Sequence, residues 1–240
     1  MFERFLTETD LHRLRACFAG LQQHDIASWA LTGSAASEIH RIQRGAGGAL
    51  RSLNDLDFVT IGFDKLPDTL KPDFLFRHVH PLAAPDKILA QFVSPEVALR
   101  VDVFRTHSKV MERTSTVALD TCTVRLVSPG DLICHLARLS LPLAHGQGVP
   151  AKHVNDFCHL WEMTAIDEAE LAWPEHRRAG DPASFAEAAK MVVEAIPQRP
   201  DLLFVPQYSQ DIAERCPHCV EISGFPLTEP ARILSILGYC

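Results

Sequence analysis

Three aspartates in two apolar segments are the residues whose spacing points most directly to chemistry. Asp55 and Asp57 lie two positions apart in Asp-Leu-Asp-Phe-Val-Thr-Ile, and Asp102 lies in Val-Asp-Val-Phe. Residues i and i+2 of a strand share a face, so Asp55 and Asp57 project side by side, and Asp102 joins them if its strand is a neighbour. Gathered carboxylate oxygens are the ligands that Mg²⁺ prefers, so the pattern predicts a magnesium site.

A plain solvated strand face is the alternative explanation for paired aspartates. Large apolar residues, however, flank both Asp57 and Asp102 on each side. The opposite face of each strand is therefore expected to be buried, and this context favours a metal site.

A glycine-serine turn precedes these strands and suits a phosphate. Leu31-Thr32-Gly33-Ser34 ends an apolar segment and leads into a helix of small residues. Glycine allows close backbone approach to a phosphate, and the first turn of a helix offers free N–H groups to an anion. A nucleoside triphosphate could thus bridge Gly33-Ser34 and the carboxylates, with metal ions neutralising its phosphate oxygens and aligning an attacking hydroxyl.

Taken together, Gly33-Ser34, Asp55-x-Asp57 and a later strand bearing Asp102 resemble the nucleotidyltransferase superfamily, whose fold is shared by DNA polymerase beta and aminoglycoside nucleotidyltransferases. Arg51 shortly before Asp55 makes the chain most similar to the branch of abortive-infection-type toxin nucleotidyltransferases. That branch carries a helical Lys-Asp-x-x-Asp motif, with which residues 152–156 (Lys-His-Val-Asn-Asp) align. The resemblance covers roughly residues 20 to 160.

The resemblance implies a role for each matching residue. Asp55 and Asp57 would be metal ligands, and Asp102 would be the third carboxylate and a candidate base. Two Mg²⁺ ions and an NTP such as ATP would bind, with nucleotide contacts from Gly33, Ser34, Arg51, Lys152 and Asp156. Two positions depart from the toxin branch. His153 replaces the first aspartate of the helical motif, and Ser34 stands where that branch commonly has a second glycine after Gly33.

A second motif, Cys216-Pro-His-Cys219, has the spacing of half a zinc site. A closed tetrahedral site would need further ligands, for which Cys240, His218 and His176 are the candidates. The alternative is a pair of thiols that binds nothing. Zinc is thus the second cofactor expectation, beside magnesium.

Alternating apolar patterns predict strands over residues 26–31, 55–61, 74–80, 88–93, 99–104 and 121–127. Helical spacing predicts a first helix capped by Thr7, a helix after Gly33, a helix capped by Ser128, and helices over residues 149–163, 183–196 and 229–237. The fold class expected is α+β, a mixed twisted sheet of the nucleotidyltransferase type over residues 1–127, with a helical region over residues 128–240.

Composition limits the class of partner. The 240 residues include 30 acidic and 23 basic ones, for a net charge of −7, which disfavours a broad nucleic-acid surface. No apolar run approaches a membrane span, and seven cysteines, an odd number, suggest reduced thiols; we expect a cytoplasmic protein with no membrane partner. No P-loop, Gly-x-Ser-x-Gly or His-Glu-x-x-His motif occurs.

The expected function is Mg²⁺-dependent transfer of a nucleoside monophosphate from an NTP to an acceptor hydroxyl on a small molecule, a protein or an RNA end. An antitoxin-like protein partner would fit the toxin branch. Two alternatives stay open: a catalytically inactive relative that binds or senses nucleotide, which His153 favours, and a zinc-stabilised interaction module built on the tail. Retention of three mutually repelling acids favours the enzyme.

Overall fold

The computed structural model describes residues 2–46, 52–119, 122–206 and 217–239. Its α-helices and β-strands are, in chain order, α1 (Glu8–Leu21), β1 (Ala30–Leu31), α2 (Gly33–Gln43), β2 (Asp55–Thr60), β3 (Leu75–Val79), β4 (Ile88–Ser94), β5 (Leu99–Arg105), α3 (Ser108–Glu112), β6 (Ser115–Leu119), β7 (Cys122–Leu126), α4 (Pro129–Ala144), β8 (Val149–Pro150), α5 (Ala151–Trp161), α6 (Ile166–His176), α7 (Phe185–Gln198), β9 (Leu203–Phe204), α8 (Pro217–Ser223) and α9 (Pro230–Ile236).

Seven of the described strands form one sheet in the order β3-β4-β5-β2-β1-β7-β6. The pairs β2–β5 and β1–β7 are parallel, and the other neighbouring pairs are antiparallel. The remaining two, β8 and β9, form a small parallel pair among the C-terminal helices. The predicted α+β class, a mixed sheet followed by a helical C-terminal part, is confirmed.

Capping residues begin the first and fourth α-helices where the sequence predicts. The Thr7 side chain accepts a hydrogen bond from the Asp10 N–H, and the Ser128 side chain accepts one from the Asp131 N–H. These bonds satisfy amide groups that a helix leaves without intrahelical partners. Strands β4 and β5 form a hairpin, with Ser94 opposite Leu99.

Some elements differ from the prediction. The strand expected over residues 26–31 is reduced to Ala30–Leu31, because the Trp29 N–H bonds to the Ile26 carbonyl in a turn. Helix α3 and strand β6 were not predicted, and neither was α6. The buried face of α6 consists largely of alanines, Ala169 and Ala172 beside Trp173. Such small residues give only a weak hydrophobic period.

A large hydrophobic cluster packs sheet and helices together, and it draws residues from both sides of position 128, among them Phe58, Phe92, Phe157 and Trp173. Helix α4 contacts α5, α6 and α7, and α2 contacts both β2 and α4. The division into regions 1–127 and 128–240 stays a prediction. Within the described residues, no helix combines the length and apolar character that crossing a membrane requires.

Candidate functional site

The carboxylate cluster, which we define as Asp55, Asp57 and Asp102, forms where the parallel strands β2 and β5 lie side by side. Asp57 is directly opposite Asp102 in the register of the two strands. Burial alternates along β2, so Leu56 and Phe58 enter the core while the two aspartates share the other face. One carboxylate oxygen from each of the three residues lies within 4.8 Å of the others. Carboxylates at this separation can share one cation.

Arg100 is the cation already present beside these acids. It is opposite Asp55 in the strand register and forms an ion pair with it, and its Nε lies 3.3 Å from Asp102 Oδ2. On the neighbouring strand β4, Gln91 Nε2 donates a 2.7 Å hydrogen bond to Asp102 Oδ1. Asp102 therefore has one hydrogen-bonded oxygen and one oxygen with only a long ionic contact.

The pKa values of Asp57 and Asp102 are raised despite Arg100. Burial, followed by the charges of Asp55 and Asp102, raises the pKa of Asp57 well above its ordinary value. Burial also raises the pKa of Asp102 to about 6, although Arg100 and the Gln91 hydrogen bond oppose the shift. A raised carboxyl pKa means that the charged form lacks full compensation. The cluster thus has a deficit of positive charge that a divalent cation would fill.

Gly33 begins helix α2 against the Asp57 side chain. Its φ is +64°, and a Cβ at this position would collide with the Asp57 carboxylate. The backbone is held there by a 2.8 Å hydrogen bond from the Thr32 N–H to the Asp57 carbonyl. Glycine is required both for the left-handed conformation and for the close approach. The free N–H groups at the start of α2 are thereby placed next to the carboxylate cluster.

A cavity of about 550 Å³ contains most of the predicted site residues. The carboxylate cluster lines it together with Gly33, Ser34, Lys152 and Asp156. Lys152, in the first turn of α5, also acts electrostatically to lower the pKa of Asp57. Arg51 lies outside the described residues. The functional roles assigned to all these residues stay predictions.

Arg13 of α1 ties together the two loops that lead into the acidic strands. Its guanidinium donates to the carbonyls of Leu53, Val97 and Ala98 at 3.0, 3.1 and 2.9 Å, respectively. Leu53 precedes β2, and the other two residues precede β5. Asp10 completes the arrangement by pairing with Arg13 at 2.9 Å. Arg13 thus helps to set the relative position of the strands that bear the carboxylates.

Asp131 forms a separate, fully hydrogen-bonded network at the beginning of α4. Arg113 donates to both of its oxygens, at 2.9 and 2.6 Å, and the Ser128 hydroxyl donates at 2.7 Å. His176 Nε2 lies 2.9 Å from Asp131 Oδ1. Burial alone would raise the pKa of Asp131, but the bonds from Arg113, His176 and Ser128 outweigh it and lower the pKa.

Beside this network lies a second group of candidate ligands, the histidine cluster, defined as Asp86, His135 and His176. One ligand atom from each lies within 4.8 Å of the others, and all three line the same cavity. Arg138 Nη2 is 3.3 Å from Asp86 and 3.1 Å from His135 Nδ1. Burial, and then the charge of Arg138, lowers the pKa of His135 to about 3, so this imidazole is neutral.

The predicted zinc site in the tail falls mostly outside the described residues, because Cys216 and Cys240 do. Cys219 is described and buried, with its Sγ 3.2 Å from His80 Nδ1. His176, the distant candidate, is hydrogen-bonded to Asp131. Zinc binding by Cys216, Cys219 and Cys240 stays a prediction.

Sequence reasoning missed Arg100, Gln91 and the histidine cluster. A signal for Arg100 was present, since it lies two positions before Asp102 on one strand and therefore shares its face. Gln91 carries no such signal, because its contact with Asp102 depends on the register between β4 and β5. The histidine cluster carries none either, because its members come from separate elements far apart in the chain.

Comparison with known proteins gives few matches. No family model and no curated protein matches the chain. Among solved structures, an antigenic nucleotidyltransferase-like protein from Paracoccidioides brasiliensis is similar, with a TM-score of 0.38 and 16% identity over 81% of this chain and 89% of that one.

Proposed function

We propose that this protein is a Mg²⁺-dependent nucleotidyltransferase that moves a nucleoside monophosphate from an NTP to an acceptor hydroxyl. The observation that carries the proposal is the convergence of Asp55, Asp57 and Asp102 within 4.8 Å, at the wall of a cavity that also contains the start of α2. Three acids of like charge repel one another, and their grouping around a partly exposed cavity is what a divalent cation requires.

The residues present fit magnesium. All three candidate ligands are carboxylates, the hard oxygen donors that suit Mg²⁺. Raised pKa values at Asp57 and Asp102 mark a deficit of positive charge that Arg100 does not fill. Bound Mg²⁺ would supply neutralisation of the phosphate oxygens. Asp55 and Asp57 would hold it, with Asp102 as the third ligand or as the base that accepts the hydroxyl proton.

The rest of the cavity suits a nucleotide. Gly33 brings the amide groups of the first turn of α2 to the carboxylate cluster, where they can donate to phosphate oxygens. Ser34 adds a hydroxyl, and Lys152 approaches from α5 with a positive charge. The chain's own contribution is therefore orientation and electrostatic stabilisation of the triphosphate, which account for most of the catalysis of phosphoryl-group transfer.

A test should compare Asp57→Asn with Asp64→Asn, a matched charge removal at an exposed carboxylate that pairs with Lys65. Binding of labelled ATP and other NTPs would be followed by equilibrium dialysis with Mg²⁺ and with EDTA. Transfer would be followed by pyrophosphate release with small-molecule, protein and RNA acceptors. We expect Asp57→Asn to lower transfer at least about 1,000-fold, which corresponds to about 4 kcal/mol of transition-state stabilisation. Asp64→Asn should behave as wild type.

The proposal fails if wild type binds no NTP with Mg²⁺, or if Asp57→Asn binds and transfers as well as wild type. Magnesium-dependent binding without transfer to any acceptor class would instead support the inactive, nucleotide-sensing alternative.

A further inference from the structure

The histidine cluster is chemically unlike the carboxylate cluster, although both line one cavity. Asp86 lies in the segment before β4, His135 lies in α4, and His176 is the last residue of α6. We propose that these three side chains form a second metal site, for a divalent first-row transition metal such as Zn²⁺. The proposal does not depend on nucleotidyl transfer, since it rests on other residues.

His176 provides the observation that points to a ligand. Its side chain is only 7% exposed, and Nε2 faces a carboxylate oxygen of Asp131 at 2.9 Å. An ionised carboxylate only accepts, so Nε2 carries the proton and donates. Nδ1 then presents a lone pair, yet this buried nitrogen has no hydrogen-bond partner among the described residues. A buried acceptor without a partner is costly, and a metal ion would satisfy it.

Asp131 has the position that carboxylates take behind metal-bound imidazoles. It fixes the tautomer and the ring orientation of His176, while Arg113 and Ser128 hold the carboxylate itself in place. Such carboxylate–histidine pairs raise the basicity of the ligating nitrogen. His176 is thereby prepared to bind a cation through Nδ1.

The donor set determines the class of metal. Two imidazole nitrogens and one carboxylate oxygen suit zinc and its neighbours better than magnesium, which prefers oxygen alone. Three protein ligands leave a coordination position for water or for a molecule in the cavity, as in open zinc sites. The one cavity would therefore offer two chemically distinct metal positions.

Arg138 is the competitor at this site. It contacts Asp86 and His135, as described above, so its guanidinium occupies the place of the cation. Its attachment is incomplete, because Nε and Nη1 are buried without hydrogen-bond partners among the described residues. A metal ion would displace the guanidinium from His135 Nδ1. Removal of the Arg138 charge should consequently tighten metal binding.

The experiment uses the full chain, freed of metal by a chelator and then titrated with Zn²⁺ against a chromophoric competitor. We expect one tight site that His135→Gln and His176→Gln each weaken by at least about tenfold. His153→Gln is the matched control, because His153 lines the same cavity outside the cluster and should leave the affinity within about twofold of wild type. Arg138→Met should bind zinc at least about tenfold more tightly.

Substitution by Co²⁺ gives a second measurement that needs no variant, since imidazole-ligated Co²⁺ of low coordination number absorbs strongly in visible light. The proposal is overturned if wild type takes up no zinc, if both histidine variants bind as tightly as wild type, or if Arg138→Met binds more weakly. Asp57→Asn should retain the site, so the two proposals can fail separately. If the histidine variants do not fold, Arg138→Met and the cobalt spectrum decide.

Discussion

Asp102 and Asp131 are two similarly buried carboxyl groups whose pKa values are shifted in opposite directions. Asp102 is 5% exposed and Asp131 is 0% exposed. The pKa of Asp102 is nevertheless raised to about 6, while that of Asp131 is lowered. Burial raises the pKa of both groups, so the difference must come from their partners.

The partners differ in number and in geometry. Asp131 accepts hydrogen bonds on both oxygens, two of them from the fork of Arg113, with Ser128 and His176 completing the set. Asp102 accepts one from Gln91 and shares a more distant Arg100 with Asp55. A bidentate arginine pair gives more stabilisation than a long contact divided between two acids.

This difference separates a structural carboxylate from one that is available for function. Asp131 has no unused acceptor capacity, so its charge holds α3, α4 and α6 together through Arg113 and His176. Asp102 and Asp57 have raised pKa values and retain uncompensated charge that faces a cavity. Uncompensated charge in a cleft is a feature of functional sites.

Replacement of Arg113 at Asp131 and of Arg100 at the carboxylate cluster should give the largest difference in the free energy of unfolding. Arg113→Met leaves Asp131 charged, buried and without its bidentate partner, and it also removes a contact to Glu175. We expect the free energy of unfolding to fall by about 3–5 kcal/mol, the usual cost of breaking a buried pair. Urea denaturation monitored by circular dichroism would measure it.

Arg100→Met is the matched variant at the carboxylate cluster. Because Asp102 and Asp57 can relieve their repulsion by taking up protons, the cost should stay below about 2 kcal/mol near neutral pH. Equal losses in the two variants would contradict the distinction between the two carboxylates.

Sequence alone predicted much of the carboxylate cluster because local periodicity encodes it. Asp55 and Asp57 share a face through the period of the strand, and Gly33 marks a strand-to-helix turn. Asp102 was expected to join the other two aspartates only if its strand was a neighbour of theirs. Strands β2 and β5 are neighbours, with Asp57 opposite Asp102 in parallel register. The residues' roles in catalysis stay a prediction.

The histidine cluster could not be predicted in the same way. Asp86, His135 and His176 come from a loop and two helices, and only tertiary packing brings them together. The sequence makes His176 a candidate ligand beside the tail cysteines, whereas in the structure its Nε2 lies 2.9 Å from Asp131 Oδ1. Helix α6, which carries it, was missed because its buried face is rich in alanine.

Gly33→Ala tests whether the carboxylate cluster depends on close backbone approach. The new methyl group would collide with the Asp57 carboxylate at a backbone φ of +64°. We expect nucleotidyl transfer to fall about 100-fold, which is about 2.7 kcal/mol, while zinc affinity at the histidine cluster stays unchanged. Gly45→Ala is the control, because its φ of +83° imposes similar strain and no atom of the described residues lies within 4 Å of the added group. Equal activity losses in the two variants would assign the effect to backbone strain alone.

The pH dependence of stability should carry opposite signs in the two regions. Asp102 keeps its proton in the folded state up to about pH 6, whereas the unfolded chain releases it near pH 3.9. Its contribution to stability is therefore complete below about pH 4 and is lost as pH rises through 6. Asp131 has a lowered folded pKa, so its contribution is present above about pH 4 and is lost as pH falls.

Urea denaturation of wild type and of Asp102→Asn, followed in EDTA from pH 4.5 to 7, would measure the contribution of Asp102. The difference in unfolding free energy between the two proteins isolates it. We expect wild type to lose about 2 kcal/mol relative to the variant over this range. Adding Mg²⁺ at pH 7 should recover part of that loss in wild type and less in the variant. The bound cation would compensate the charge of ionised Asp102, which Arg100 compensates only in part. A difference that is flat with pH would mean that Asp102 is as well compensated as Asp131, and the charge deficit from which we infer the magnesium site would be absent.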